Sequence, residues 1–227
     1  MQLDERLSAV AKFVRQGAKL IDIGTDHAKL PIYLTETGKI SFAIASDKNE
    51  GPLFFARENI NRAGLGDKIS VRLGDGLLSV QAGEVDTIVV AGMGGALIKE
   101  ILSLSPLVLK SVESLILQPM NEGNALRKWL YENDFYIEDE TLAKEDGRIY
   151  EIISAKHGQR DMPSKFELLF GPVIFKSKTE MLKERILEFA EKERKKLRGM
   201  EKSEKVKTTV EYTLTQNKLK GLEELLW

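Results

Sequence analysis

Lys19 to Pro31, KLIDIGTDHAKLP, is the stretch whose reading decides the fold. Its apolar run Leu20-Ile21-Asp22-Ile23 predicts a buried strand, and the strand ends at Gly24, a residue free to take the backbone angles of a sharp turn. A helix follows directly. In a doubly wound α/β sheet a ligand sits beyond the carboxyl ends of the strands, where the first helix points its free N–H groups outward. Asp22, Gly24, Thr25, Asp26 and His27 all fall at that mouth.

The same pattern of strand, turn and helix repeats downstream. Phe42-Ala43-Ile44-Ala45 predicts a second strand ending at Ser46-Asp47, Glu50 to Asn61 a helix, and Lys68 to Leu73 a third strand leaving through Gly74-Asp75-Gly76. Val85 to Ala91 is apolar throughout, which predicts a strand buried on both faces. Gly92-Met93-Gly94-Gly95 then opens a helix over Ala96 to Leu102, and Ser114 to Leu117 is a fifth strand closed by Gln118-Pro119. After a helix over Asn121 to Asn133, Phe135 to Leu142 and Arg148 to Lys156 form a hairpin around Glu145-Asp146-Gly147. Upstream, Leu3, Leu7, Val10 and Phe13 mark a helix expected to lie against the first strand as a lid. The expectation is an α/β fold, Rossmann-like, with a mostly parallel sheet and one antiparallel strand near its edge.

A chain of 227 residues with 42% hydrophobic content can bury one good core and a small second unit. The absence of cysteine excludes disulfides, thiolate nucleophiles and cysteine-ligated metals, and fits a cytoplasmic protein. Neither a signal peptide nor a membrane span is visible. The net charge of -1 predicts no general attraction to nucleic acid, but residues 160 to 227 hold 16 Lys/Arg against 12 Asp/Glu. There Leu182, Ile186, Phe189, Leu197 and Met200 mark one helix, and Val206, Val210, Leu214 and Leu222 a second. The two predict an antiparallel hairpin turning near Gly199 to Ser203, so the division falls into domains of 1-158 and 159-227. Its basic charge reads either as a solvated face or as a nucleic-acid surface.

At the mouth, a nicotinamide-binding turn would need two further glycines after Gly24, and a pyrophosphate would meet Asp26 at close range. A cofactor without phosphates fits better. S-adenosylmethionine has a carboxylate for the turn's N–H groups, cationic groups for nearby acids such as Asp22, and ribose hydroxyls for Asp47. Asp75 is placed to take the adenine amino group, and Met93, between glycines at a strand exit with Ala91 and Gly92, to touch cofactor or base. The competing reading of each acid is a helix cap. His27 reads as a locally bonded helix-start residue that also belongs to the cofactor shell.

Taken together, DIGTDHA at Asp22 to Ala28, Gly51-Pro52, Gly74-Asp75-Gly76-Leu77, Ala91-Gly92-Met93-Gly94-Gly95, Leu115 to Pro119, Tyr150-Glu151-Ile152 and Phe170-Gly171-Pro172 resemble the bacterial tRNA adenine-22 N1-methyltransferases over nearly the whole chain. The resemblance implies a class I methyltransferase core with a C-terminal coiled coil, S-adenosylmethionine as donor and tRNA as partner, with no metal. It implies that Asp26 is catalytic; Gly24, Thr25 and Gly76 are placed in the cofactor shell, Tyr33, Gly94, Pro119 and Asn121 on the tRNA side, and Arg127, read as an exposed helix residue, meets either tRNA phosphate or only water. Three departures stand out: Lys29 where the family has tyrosine, Ser46-Asp47 for Gly-Glu, and Met120 for asparagine, with Tyr33 and Asn121 as substitutes. Cysteine-free chemistry suits a ring nitrogen, whose in-plane lone pair needs alignment more than activation. Methylation of a small molecule and nucleotide binding without catalysis remain alternatives. Trp129, Trp227 and His157 read as structural, and a monomer is expected.

Overall fold

The computed structural model describes residues 2–226, which divide into two compact units, one running to Phe175 and one beginning at Lys176. In the first, β1 (Ala18–Ile23), β2 (Ile40–Asp47), β3 (Ile69–Leu73), β4 (Thr87–Met93), β5 (Ser114–Pro119), β6 (Phe135–Glu145) and β7 (Arg148–His157) form one sheet. Its order is β3-β2-β1-β4-β5-β7-β6. β1 pairs in parallel with both β2 and β4, which makes its carboxyl end the switch point of the sheet. β7 alone runs antiparallel, between β5 and the edge strand β6. The turn joining β6 to β7 has two residues at positive φ, Asp146 (47°) and Gly147 (75°), as a tight hairpin requires.

Successive side chains along a strand face opposite sides, and both sides are apolar here. Ile21, Ile23, Ile88, Val90, Leu115 and Leu117 belong to the core cluster that includes residues of α4 (Gly95–Ser103), α5 (Pro106–Ser111) and α6 (Gly123–Glu132). Leu20, Ala43, Ala45, Val89 and Ile116 belong to the cluster on the other face, with α1 (Glu5–Phe13), α2 (Lys29–Glu36) and α3 (Glu50–Arg62). α1 is capped by Asp4, whose carboxylate accepts from Leu7 N–H at 2.7 Å. It does not serve as a lid on β1: it packs chiefly against β5, β6, β7 and α2. A short 3-10 turn over Gly76–Ser79 and the helix α5 were not evident in the sequence pattern.

Trp129 is packed against the core, and His157 Nε2 lies 2.9 Å from Leu109 O with its ring 4.1 Å from that of Phe135. Trp227 lies outside the described residues. Among those residues no helix is long and apolar enough to cross a membrane.

The expected boundary at 158 comes too early. α7 (Lys165–Phe170) and the start of α8 (Pro172–Ser177) belong to the first unit, because Phe170 is fully buried and the backbone at Leu168 and Val173 is bonded to Arg127 and Glu140. The second unit contains α9 (Glu180–Met200), α10 (Glu204–Lys207) and α11 (Val210–Glu224), with α9 and α11 antiparallel as expected. Leu182, Ile186, Ala190, Thr215, Leu219 and Leu222 are buried, whereas Val210 and Leu214 are exposed. Of the stripe expected on the second helix, Leu222 is buried as expected, whereas Val206 falls in the separate α10 because Thr209 caps a fresh helix after it.

Arg127 was expected to be exposed, facing tRNA phosphate or water, and is instead fully buried. Its Nε donates to Glu140 Oε1 at 2.6 Å, and its Nη1 lies 2.9 Å from Glu151 Oε2 and donates to Leu168 O at 3.2 Å. Burial opposes the charge, but the two carboxylates hold the guanidinium above its ordinary pKa. Glu140 is in turn pushed up by burial, against the pull of Arg127. Removing the cation would leave two uncompensated buried carboxylates, a change that costs about 3–5 kcal/mol. Arg127→Ala is therefore expected to lose about that much in urea unfolding, and a loss below about 1 kcal/mol would show that the cluster does not hold α6 to the hairpin.

Candidate active site

The site forms where β1, β2, β3 and β4 end. Gly24 leaves β1 at φ 72°, and its N–H and that of Thr25 both donate to Ser46 O, at 2.8 and 3.0 Å, which ties the turn to β2. Thr25 Oγ1 donates to Asp22 Oδ2 at 2.7 Å. Asp26 and Ala28 then take left-handed angles, φ 53° and 55°, before α2 begins at Lys29. Aspartate tolerates this region better than alanine does, and two such residues in one turn store strain of a kind found at functional sites. The turn is held from outside by Asn59 Nδ2, which donates to His27 O at 3.1 Å. Its consequence is that the Asp26 side chain projects into solvent, 69% exposed, with His27 Nε2 3.6 Å away.

At β4, Gly92 sits at φ 81° in a register shift between Ala91 and Met93. The next side chain, Met93, packs directly on Gly24: its methyl group occupies the space that any Cβ at Gly24 would need. This contact separates two cavities that share Gly24. The larger, about 290 Å³, is lined by Asp22, Thr25, Asp26, His27, Ala91 and Gly92, with the cap residue Asp4 and Arg6 and Leu7 of α1 as its other wall. The smaller, about 140 Å³, holds Asp47, Asp75 and Gly76 against an apolar wall of Met93, Leu97 and Ile101.

The acids are not equivalent. Burial pushes the Asp22 carboxyl up to about 6, against the lowering effect of the Thr25 hydroxyl and of Arg6, while Asp47 adds a further upward push. Asp47 Oδ1 accepts from Asn49 N–H at 2.9 Å, which fixes its carboxylate at the cavity edge. Asp75 makes no side-chain cap to the turn it precedes, so capping does not account for it.

Arg6 escaped the sequence reading. Its Nη1 donates to Gln118 Oε1 at 2.8 Å, and the same oxygen accepts from Gly92 N–H at 3.1 Å. The fully buried Gln118 thus locks the β4 exit and the Arg6 guanidinium into one arrangement. The available signal was a charge at the i+3 position of the stripe that starts at Leu3.

Of the residues expected to face tRNA, Gly94 and Asn121 are adjacent: a Cβ on Gly94 would lie 3.0 Å from Asn121 Oδ1. Pro119 is buried in register with Met93, and Tyr33 is half-buried against the core cluster on the α1 face. Neither lines either of these two cavities. Among the described residues no cluster of His, Cys, Asp or Glu is placed to hold a metal ion. The donor set suits a cationic nucleoside: one cavity has an apolar wall with two acids, the other a buried acid and a guanidinium, and a polyphosphate would meet acids in both.

Comparison with known proteins agrees with this geometry. A family model described as a methyltransferase domain matches residues 3–153. The chain is 41% identical over 183 residues to the tRNA (adenine(22)-N(1))-methyltransferase of Bacillus subtilis (strain 168), covering 78% of this chain and 77% of that one. Among solved structures, a putative tRNA (m1A22) methyltransferase of Streptococcus pneumoniae in complex with S-adenosyl-L-methionine matches with a TM-score of 0.90 at 37% identity, over 100% of both chains. The m1A22 tRNA methyltransferase TrmK of B. subtilis matches with a TM-score of 0.91 at 34% identity, over 100% of this chain and 99% of that one. A core sheet that switches direction at β1, a divided cavity of this chemistry and these matches place the chain in the TrmK family of tRNA (adenine-22 N1)-methyltransferases.

Proposed function

We propose that the chain transfers a methyl group from S-adenosylmethionine to N1 of adenine 22 in tRNA, in the cytoplasm. The observation that carries the assignment of roles is Asp26, held by a left-handed turn with its carboxylate exposed at the rim of the larger cavity. When bound, the cofactor supplies an electrophilic methyl group on a sulfonium centre.

The protein's residues divide the remaining work. Asp47 accepts from the ribose hydroxyls, and Asp75 with Leu97 and Ile101 receives the adenine ring in the smaller cavity. In the larger cavity, Arg6, clamped by Gln118, takes the methionyl carboxylate, and Asp22 faces the ammonium group. Met93 packs on Gly24 between the two halves, where it would border the bound cofactor. Asp26 accepts from the exocyclic amino group of the target adenine. As positive charge develops on the ring, its carboxylate stabilises that charge and is placed to take the amino proton. His27 lies too far from Asp26 for a hydrogen bond, 3.6 Å, so the carboxylate keeps its acceptor capacity. N1 is on the pairing edge, so the target base must leave its stack to reach Asp26.

In the second unit, several charges are satisfied locally, including Arg194 with Glu191 and Glu223 and Lys196 with Glu211. Lys195, Lys202 and Lys205 are among the hairpin's cations that make no ion pair among the described residues.

Two outcomes test these roles. With unmodified tRNA and S-adenosylmethionine, wild type yields 1-methyladenosine by nucleoside mass spectrometry, and Asp26→Ala yields roughly 100-fold less or lower still, with unchanged cofactor affinity. Methylation of small acceptors but not of tRNA would sink the assignment. The second outcome concerns Asp22, whose pKa rises on folding from 3.8 to about 6. Its contribution to the stability of the ligand-free protein is fully present below the lower value and lost as pH rises through the upper one, on the order of 3 kcal/mol. Asp22→Asn removes that loss: at pH 7 the ligand-free variant is expected to be the more stable protein in urea and the weaker binder of cofactor by calorimetry. An equal pH slope in both proteins between pH 4 and 7 would refute this account of Asp22.

A further inference from the structure

α3 buries Leu53, Ala56 and Ile60, and this apolar stripe meets the helix's packing need. The same helix also presents two neighbouring phenylalanines to solvent, Phe54 at 59% and Phe55 at 52% exposure. Their rings are in contact edge to face, 5.6 Å between centroids at 80°. Phe55 in turn meets the His27 ring at 5.4 Å with a tilt of 48°. His27 lines the larger cavity beside Asp26, so a continuous row runs outward from the rim: Asp26, His27, Phe55, Phe54.

From this juxtaposition, and resting on the tRNA reading above, we infer that Phe55, backed by His27 and Phe54, is a stacking shelf for a nucleobase of the tRNA next to the target adenine. Moving the target out of its stack uncovers one face of its neighbour, and an aromatic ring beside the mouth replaces the lost stacking. Basic residues also stand at the cavities and on α3. Lys29 lines the larger cavity, Lys48 lines the smaller, and Arg57 stands on α3 itself with only a loose 3.5 Å pairing to Glu50. Tyr33, the aromatic expected to stack on a base, lines neither cavity, whereas Phe55 touches the rim. Two exposed rings continuous with the rim of the site that takes the target adenine suit a polyanion carrying flat bases.

The test compares wild type with Phe55→Ala, Phe55→Leu and Phe55→Trp, measuring steady-state methylation of unmodified tRNA and cofactor affinity by calorimetry. The expected result is a fall in kcat/KM for tRNA of about tenfold to a hundredfold in both Phe55→Ala and Phe55→Leu. Phe55→Trp retains most of the activity, cofactor affinity is the same in all four proteins, and the new tryptophan's emission is quenched when tRNA is added. A wild type active on tRNA with Phe55→Ala equally active would overturn the shelf alone. So would an unimpaired Phe55→Leu, which would reduce the ring to apolar packing against His27, or a parallel fall in cofactor affinity, which would make Phe55 a prop for the β1 turn. A change of oligomeric state in sedimentation on replacing both phenylalanines, with tRNA turnover intact, would assign the rings to a second copy. A wild type inactive on tRNA would overturn both the shelf and the function on which it rests.

Discussion

Because no Cβ stands at Gly24, the exits of β1 and β4 touch. The Met93 methyl group fills the place a side chain would have taken, and the space beyond the strands is divided at that contact. One division faces the acids at the ends of β2 and β3, and the other faces α1. Everything else about the site follows from keeping these two exits in register. The N–H groups of Gly24 and Thr25 anchor one exit on Ser46 O, and the carboxamide of Gln118 anchors the other through Gly92 N–H. Both anchors are backbone donors meeting a single buried acceptor, an arrangement that leaves little freedom for either turn to drift.

The order of elements was legible because a parallel strand covered on both faces loses its alternation, and Leu20 to Ile23 and Val85 to Ala91 show that loss plainly. The acids at Asp22, Asp47 and Asp75 were legible because each ends or interrupts such a run. What the sequence hid arrives from a distance. Arg6 reaches the site through Gln118, 112 positions away, and its only local trace is a charge within the stripe that starts at Leu3. Arg127 looks like any basic residue on an amphipathic helix until Glu140 and Glu151 of the hairpin are folded onto it. The second helix of the tail was misphased because Thr209 restarts it, and a single capping residue is a weak signal inside a polar stretch.

The two buried charge clusters show opposite uses of the same physics. Around Arg127 the cation and its acids are closed together, and the arrangement serves the joining of α6, the hairpin and the backbone near Leu168. Around Asp22 the balance is left incomplete: a hydroxyl and a guanidinium that also serves Gln118 do not offset the cost of burial. The positive φ angles at Asp26 and Ala28 add strain on the order of 1 kcal/mol each. The site is thus held slightly against its own preferences by the apolar clusters on both faces of the sheet, in readiness for a cationic ligand.

The placement of α1 also has a consequence for how the chain comes into being. The helix precedes every strand in the chain, yet its main packing partners, β5, β6 and β7, are the last strands of the first unit to be made. An isolated helix of nine residues is marginal in water, so α1 waits, unsupported, while some hundred residues of sheet emerge. Arg6 can meet Gln118 only once β5 has been made, and the same carboxamide holds Gly92 in the wall of the larger cavity. A chain interrupted before β5 therefore carries Asp22, Asp47 and Asp75 without the carboxamide that clamps Arg6 at the larger cavity.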